Sequence, residues 1–87
     1  KLTTSIKERI SLAEVNVYPV PTMNFVYIDN LIYNGMVSLI DINGKTLKSV
    51  KVLNNKLKMD ISQQIVGIYF VKIDNDNESR VFKIVKQ

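Results

Sequence analysis

Eighty-seven residues, 46% of them hydrophobic with only three Gly and two Pro, supply one small core; the absence of Cys and His excludes an ordinary zinc site, an imidazole-activated nucleophile and a haem or iron centre. The formal charge of +4 is modest and ten of the twelve cations are Lys, which guards strand edges, whereas Arg does most bidentate phosphate and base recognition, so no nucleic-acid partner is expected. No apolar run approaches the roughly 20 residues that span a bilayer, and Ile6, Ile10 and Leu12 are interrupted by Lys7, Glu8, Arg9 and Ser11, so neither membrane insertion nor a secretory apolar core is expected.

Residues 1–14 carry Ile6, Ile10 and Ala13 at helical spacing, but over a length near the nucleation limit of a lone helix, and they read as a tether. From there on, apolar residues recur at every second position in short runs that stop at Asn, Gly, Asp or Pro, which is the pattern of half-buried strands. Residues 15–18 form a first short strand, stopped by Pro19 and Pro21, which remove two backbone donors and hold their predecessors extended. Residues 25–29 form the second. Residues 36–42 and 46–52 flank Asn43-Gly44, a pair that tolerates φ > 0 at both positions and predicts a tight two-residue hairpin turn.

Residues 56–61 alternate, with Leu57, Met59 and Ile61 inward and Lys56, Lys58 and Asp60 outward. Gly67 opens the strongest strand, residues 68–74. Tyr69, Val71 and Ile73 take one of its faces and Ile68 and Phe70 the other, which predicts a central position. After the turn formers Asp74, Asn75, Asp76 and Asn77, residues 79–85 close the chain as a hairpin arm. Seven strands joined by short turns predict an all-β, seven-stranded antiparallel β-sandwich of the immunoglobulin-like kind.

Catalytic chemistry finds little footing. Asp74, Asp76 and Glu78 alternate as calcium ligands do, yet the sixth and twelfth places of such a loop hold Ser79 and Val85 instead of Gly and Glu. Nothing in the sequence brings Asp29, Asp41 and Asp60 together as a carboxylate pair, and Gly35, Gly44 and Gly67 are too dispersed to cradle a phosphate. Tyr18, Tyr27, Tyr33 and Tyr69 offer either half-buried packing or a sugar-stacking platform. The residues therefore predict no enzyme, no metal and no cofactor, and leave a binding module open.

The order of motifs is more specific than any one of them. Val17-Tyr18-Pro19-Val20-Pro21-Thr22, then residues 25–28, then VSLIDINGK over 37–45, Met59-Asp60-Ile61-Ser62, Gly67-Ile68-Tyr69-Phe70-Val71-Lys72 and a final Lys83-Ile84-Val85-Lys86 follow in turn. That series resembles the type A C-terminal sorting domain of the type IX secretion (Por secretion) system, across residues 15–87. Val20 departs from the pattern, which usually has Asn between the two prolines.

The resemblance implies an immunoglobulin-like sandwich from Bacteroidota that acts as a sorting signal, carried through the periplasm to the outer-membrane surface or beyond by the type IX machinery. In the family a sortase-like peptidase at the cell surface often removes it. The domain is expected to be monomeric, with residues 1–14 as linker and residues 15–87 as the sorting domain. An immunoglobulin-like adhesion or carbohydrate-binding module is the alternative of the same fold. Recognition is expected at Lys83, Ile84, Val85, Lys86 and Gln87, where backbone groups and a carboxylate invite strand addition or capture in a nest. Lys86 and Gln87 are expected to be exposed and to contribute little packing. Processing is expected in the compact polar stretch Thr3-Thr4-Ser5, ahead of the paired strands.

Overall fold

The computed structural model describes residues 15–31, 35–75 and 78–87. Among them are seven strands: β1 (Asn16–Tyr18), β2 (Phe25–Asp29), β3 (Met36–Asp41), β4 (Thr46–Lys51), β5 (Lys56–Asp60), β6 (Gly67–Asp74) and β7 (Ser79–Lys86). They form a three-stranded sheet, β1-β2-β5, and a four-stranded sheet, β4-β3-β6-β7, with every ladder antiparallel. This is the sandwich the alternation predicts. Ile42, Val52 and Ile61, placed by the sequence at strand ends, lie just beyond them, and β7 runs one residue further, to Lys86.

The inward set follows from strand parity. Val26 and Ile28 on β2 and Met59 on β5 bury against Val37 and Leu39 on β3, Tyr69, Val71 and Ile73 on β6, and Ile84 on β7. As predicted, β6 is central: β3 pairs with one side of it and β7 with the other, so its backbone groups are enclosed on both sides. Its second face is less apolar in effect than in sequence, since Ile68 is exposed and Phe70 half-buried.

The β3–β4 hairpin corrects the expected turn. The loop has three residues, Ile42, Asn43 and Gly44, because the amide of Asp41 donates to the carbonyl of Lys45 at 2.9 Å and that of Gly44 to the carbonyl of Asp41 at 3.0 Å. Only Gly44 takes a positive φ, +87°, the arrangement of a type I turn closed by one left-handed residue. The cause is the side chain of Asp41, whose Oδ1 accepts from the amides of both Asn43 and Lys45 at 2.9 Å and favours the wider loop. The pairing then shifts by one residue, from Leu39↔Lys48 to Ile40↔Thr46, leaving Leu47 as the bulge that packs on the core.

That shift has a consequence for the open edge of β4. Lys48 shares the inner face with its partner Leu39, and its ammonium donates to the carbonyl of Asp60 on the opposite sheet. A cation on the inner side of an edge strand obstructs pairing with another chain.

Candidate functional site

The final residues sit in a setting that their sequence does not announce. Ile84 is fully buried, and Lys86, two positions on and on the same face, is only 7% exposed. The expectation that Lys86 is an exposed terminal residue is therefore corrected: the residue is buried, on the face of β7 that it shares with Ile84. Opposite it on β6 stands Gly67, with φ +151°.

The other side of the β7 tip is closed by the segment between β1 and β2. The Tyr18–Pro19 and Val20–Pro21 peptide bonds are both cis, and the chain then passes alongside β7. The amide of Thr22 donates to the carbonyl of Val85 at 2.9 Å, and the amide of Gln87 donates to the carbonyl of Thr22 at 2.8 Å, a single parallel bridge centred on Lys86. Thr22 is itself buried, and its hydroxyl donates to the carbonyl of Phe25. At the very end of the chain the Val85 carbonyl and the Gln87 amide are thus already engaged by Thr22. The lysine's burial was readable from its parity with Phe82 and Ile84, whereas no local pattern announces a one-residue bridge from Thr22.

Of the turn residues singled out by the sequence, Gly67 stands opposite Lys86, Pro21 immediately precedes the Thr22 that bridges to Lys86, and Asn43, next to Gly44, lines the same end of the sandwich as Gly67. Between the β3–β4 loop and the start of β6 runs an open apolar groove of about 530 Å³, lined in part by Ile42, Leu47, Ile65, Val66 and Ile68. Tyr69 fixes its floor, because its hydroxyl donates to the carbonyl of Ile65 at 2.6 Å. Thr3, Thr4 and Ser5 lie outside the described residues, as do Tyr33 and Asp76.

A second surface lies on the outer face of the three-stranded sheet. Tyr18 and Tyr27, paired across β1 and β2, stack with ring centroids 5.8 Å apart, and Lys58 Nζ stands 4.1 Å from the centre of the Phe25 ring. The Tyr18 hydroxyl donates to Asp29 Oδ2 at 2.8 Å; this hydrogen bond, helped by desolvation and the carboxylate's charge, raises the Tyr18 pKa above its ordinary value. Hydrogen bonding from Ser62, whose amide donates to Asp60 Oδ1 at 2.8 Å, lowers the Asp60 pKa, with Lys48 and Lys58 adding smaller contributions.

Each of the three carboxylates weighed for catalysis thus has a local structural use: Asp29 holds Tyr18, Asp41 shapes the β3–β4 loop and Asp60 caps the turn after β5. Asp29 and Asp60 stand at opposite ends of the β2–β5 ladder and Asp41 is in the other sheet. Among the described residues no cluster of three or more acidic, His or Cys side chains is placed to hold a metal, and no helix is long and apolar enough to cross a membrane. In the turn read against a calcium loop, Asn75 is the organiser, accepting on its side chain from the Glu78 amide at 2.8 Å while its own amide donates to the Glu78 carbonyl at 2.9 Å.

Comparison with known proteins agrees with this architecture. Among solved structures the fold resembles part of PorZ, described as an essential bacterial surface component of the type IX secretion system of human oral-microbiomic Porphyromonas gingivalis, with a TM-score of 0.75 at 20% identity. The match covers 87% of this chain and only 12% of the PorZ chain. No curated protein sequence matches the chain. The sequence profile of the family described as the secretion system C-terminal sorting domain matches residues 16–87, from the first residue of β1 onward. With the sandwich, the motif order and that match in agreement, the chain belongs to the family of C-terminal sorting domains of the type IX secretion system.

Proposed function

We propose that the domain is a non-catalytic address label that directs an attached cargo protein through the periplasm and across the outer membrane by the type IX machinery, to the cell surface or the medium. The observation that carries this reading is the family match over residues 16–87, which spans every strand. An address label needs a preformed surface read by a partner, and it needs no reacting group. The domain acts as a monomer, with neither a nucleic-acid partner nor insertion into the bilayer.

Recognition is assigned to Lys83, Ile84, Val85, Lys86 and Gln87. Within that set Ile84 and Lys86 anchor the strand by their burial, and Lys83 and Gln87 offer exposed side chains. A sortase-like peptidase needs extended, accessible backbone, so the cut is assigned to Thr3-Thr4-Ser5, ahead of Val15, the first buried residue among those described. The test is to append the 87-residue chain to a periplasmic reporter in a bacterium with this secretion system. The reporter reaches the surface if the reading is right and stays in the periplasm if it is wrong; mass spectrometry of surface reporter locates any cut.

One observation favours an adhesion or carbohydrate-binding module instead, namely the outward Tyr18–Tyr27 pair beside Asp29. That reading expects Tyr18→Ala and Tyr27→Ala to abolish retention on glycan columns; the sorting reading expects both variants to carry the reporter out normally.

A further inference from the structure

The two sheets leave four strand edges, and three of them are blunted. The strand β1 is three residues long and runs into two prolines. On β4 the bulge at Leu47 and the inward Lys48 break the template, and β5 is a five-residue strand that alternates Lys56 and Lys58 on its outer side. The β7 edge is different. It is eight residues long, carries no Pro, Gly or bulge, and is covered among the described residues only at its tip, by Thr22.

Backbone parity identifies what the uncovered part offers. The Val85 carbonyl and the Gln87 amide point to Thr22 and away from β6, so every second residue back along β7 points the same way. The N–H and C=O groups of Val81 and Lys83 therefore face outward from the sheet, whereas those of Phe82 and Ile84 pair with β6. Among the described residues no backbone group meets the outward set.

Side chains along this stretch set the chemistry of a matching strand. Lys83 and Val81 lie on one face; Arg80, its guanidinium 4.7 Å from the centre of the Phe82 ring, and Phe82 lie on the other. A strand laid beside them is matched by acidic residues across from Arg80 and Lys83 and apolar ones across from Val81 and Phe82. A second copy would bring the same cations and another chain of charge +4.

We infer that the uncovered half of β7, centred on Val81 and Lys83, takes up an extended acidic-apolar segment of a protein partner by strand addition. The inference rests on the sorting reading for the source of that segment, a component of the export apparatus, and on the edge alone for its chemistry. Because the required order over residues 80–83 is acidic, apolar, apolar, acidic, it reads the same for a parallel or an antiparallel guest.

The probe is the peptide TTEVVETT, added to the isotope-labelled 87-residue chain and followed by amide exchange and NMR shifts. The expected result is that the Val81 and Lys83 amides, fast in the free chain, slow by about tenfold or more while Phe82 and Ile84 stay as they were. TTKVVKTT binds at least about tenfold more weakly, and Lys83→Glu reverses or equalises that preference. Val81→Pro, which deletes one outward donor without touching the β6 ladder, removes the response to TTEVVETT. Protection of both amides in the free chain, a response to neither peptide, or self-association that protects the edge would each overturn the inference. In the reporter assay, normal export by both Val81→Pro and Lys83→Glu would overturn the edge as a sorting contact and leave the sorting reading standing. Failure of the unaltered domain to carry the reporter would instead overturn the sorting reading, with the peptide experiment still deciding the edge.

Discussion

The strands β6 and β7 are neighbours of equal length, eight residues each, and both are rich in apolar side chains, yet they are enclosed to different degrees. Ladders flank β6 on both sides, and Tyr69, Val71 and Ile73 are buried at every second position. On β7 one side pairs with β6, the tip is closed by Thr22, and the first half is uncovered among the described residues, with Val81 exposed. The difference teaches that a strand's apolar content does not fix its role. Stability is concentrated where both ladders are closed, and the residues available to a partner lie where one ladder is missing.

The largest effects should fall on β6. Tyr69→Ala and Val71→Ala should each destabilise the domain by about 2–4 kcal/mol in chemical denaturation, because each removes packing from a filled core. For Tyr69 the loss includes the bond to the Ile65 carbonyl. Values below about 0.5 kcal/mol for both would place the core elsewhere. The β3 side of β6 depends on the hairpin loop. Gly44→Val should cost about 1–3 kcal/mol from backbone strain alone, since φ is +87° and no atom lies within 4 Å of a Cβ built there. An unchanged melting temperature would remove that explanation.

Next comes the clamped tip of β7. Deleting Lys86 and Gln87 removes a buried stem and the Gln87–Thr22 hydrogen bond, and should cost about 1–2 kcal/mol by denaturation, in contrast to the negligible cost that an exposed end would imply. On the open half, Lys83→Ala should change stability by less than about 0.5 kcal/mol while reducing export of a fused reporter; a larger loss of stability would show that Lys83 is structural.

The smallest effect concerns pH. Because hydrogen bonds from Ser62 hold the folded Asp60 pKa below its unfolded value, its contribution is present above the unfolded pKa and is lost as pH falls through the folded one. An NMR titration should find Asp60 below the ordinary aspartate range, and Ser62→Ala should move it upward. No movement would assign the shift to the Ser62 backbone amide, with Lys48 and Lys58 adding smaller contributions.

Much of this architecture was legible in the residues. The alternation of Leu57, Met59 and Ile61 against Lys56, Lys58 and Asp60 located β5, and apolar residues on both faces placed β6 at the centre, because both signals are local and periodic. The loop length was not legible from Asn43-Gly44, since the Asp41 side chain, outside that pair, decides it. The residues point to strand addition at Lys83 to Gln87, whereas among the described residues the β7 edge is uncovered only upstream of the tip. The cause is a contact between residues 22 and 86, far apart in sequence and without a periodic signature. The sorting role came from the order of motifs, not from the chemistry of any one group.

Residue-resolved amide exchange along β7 in the free domain tests most directly whether one strand is divided into a held tip and an open half. Phe82, Ile84 and Gln87 should exchange slowly, the first two through β6 and the last through Thr22, while Val81 and Lys83 exchange at nearly the rate of exposed backbone. Uniform protection from Val81 to Gln87, or a Gln87 amide as fast as that of Val81, would contradict it.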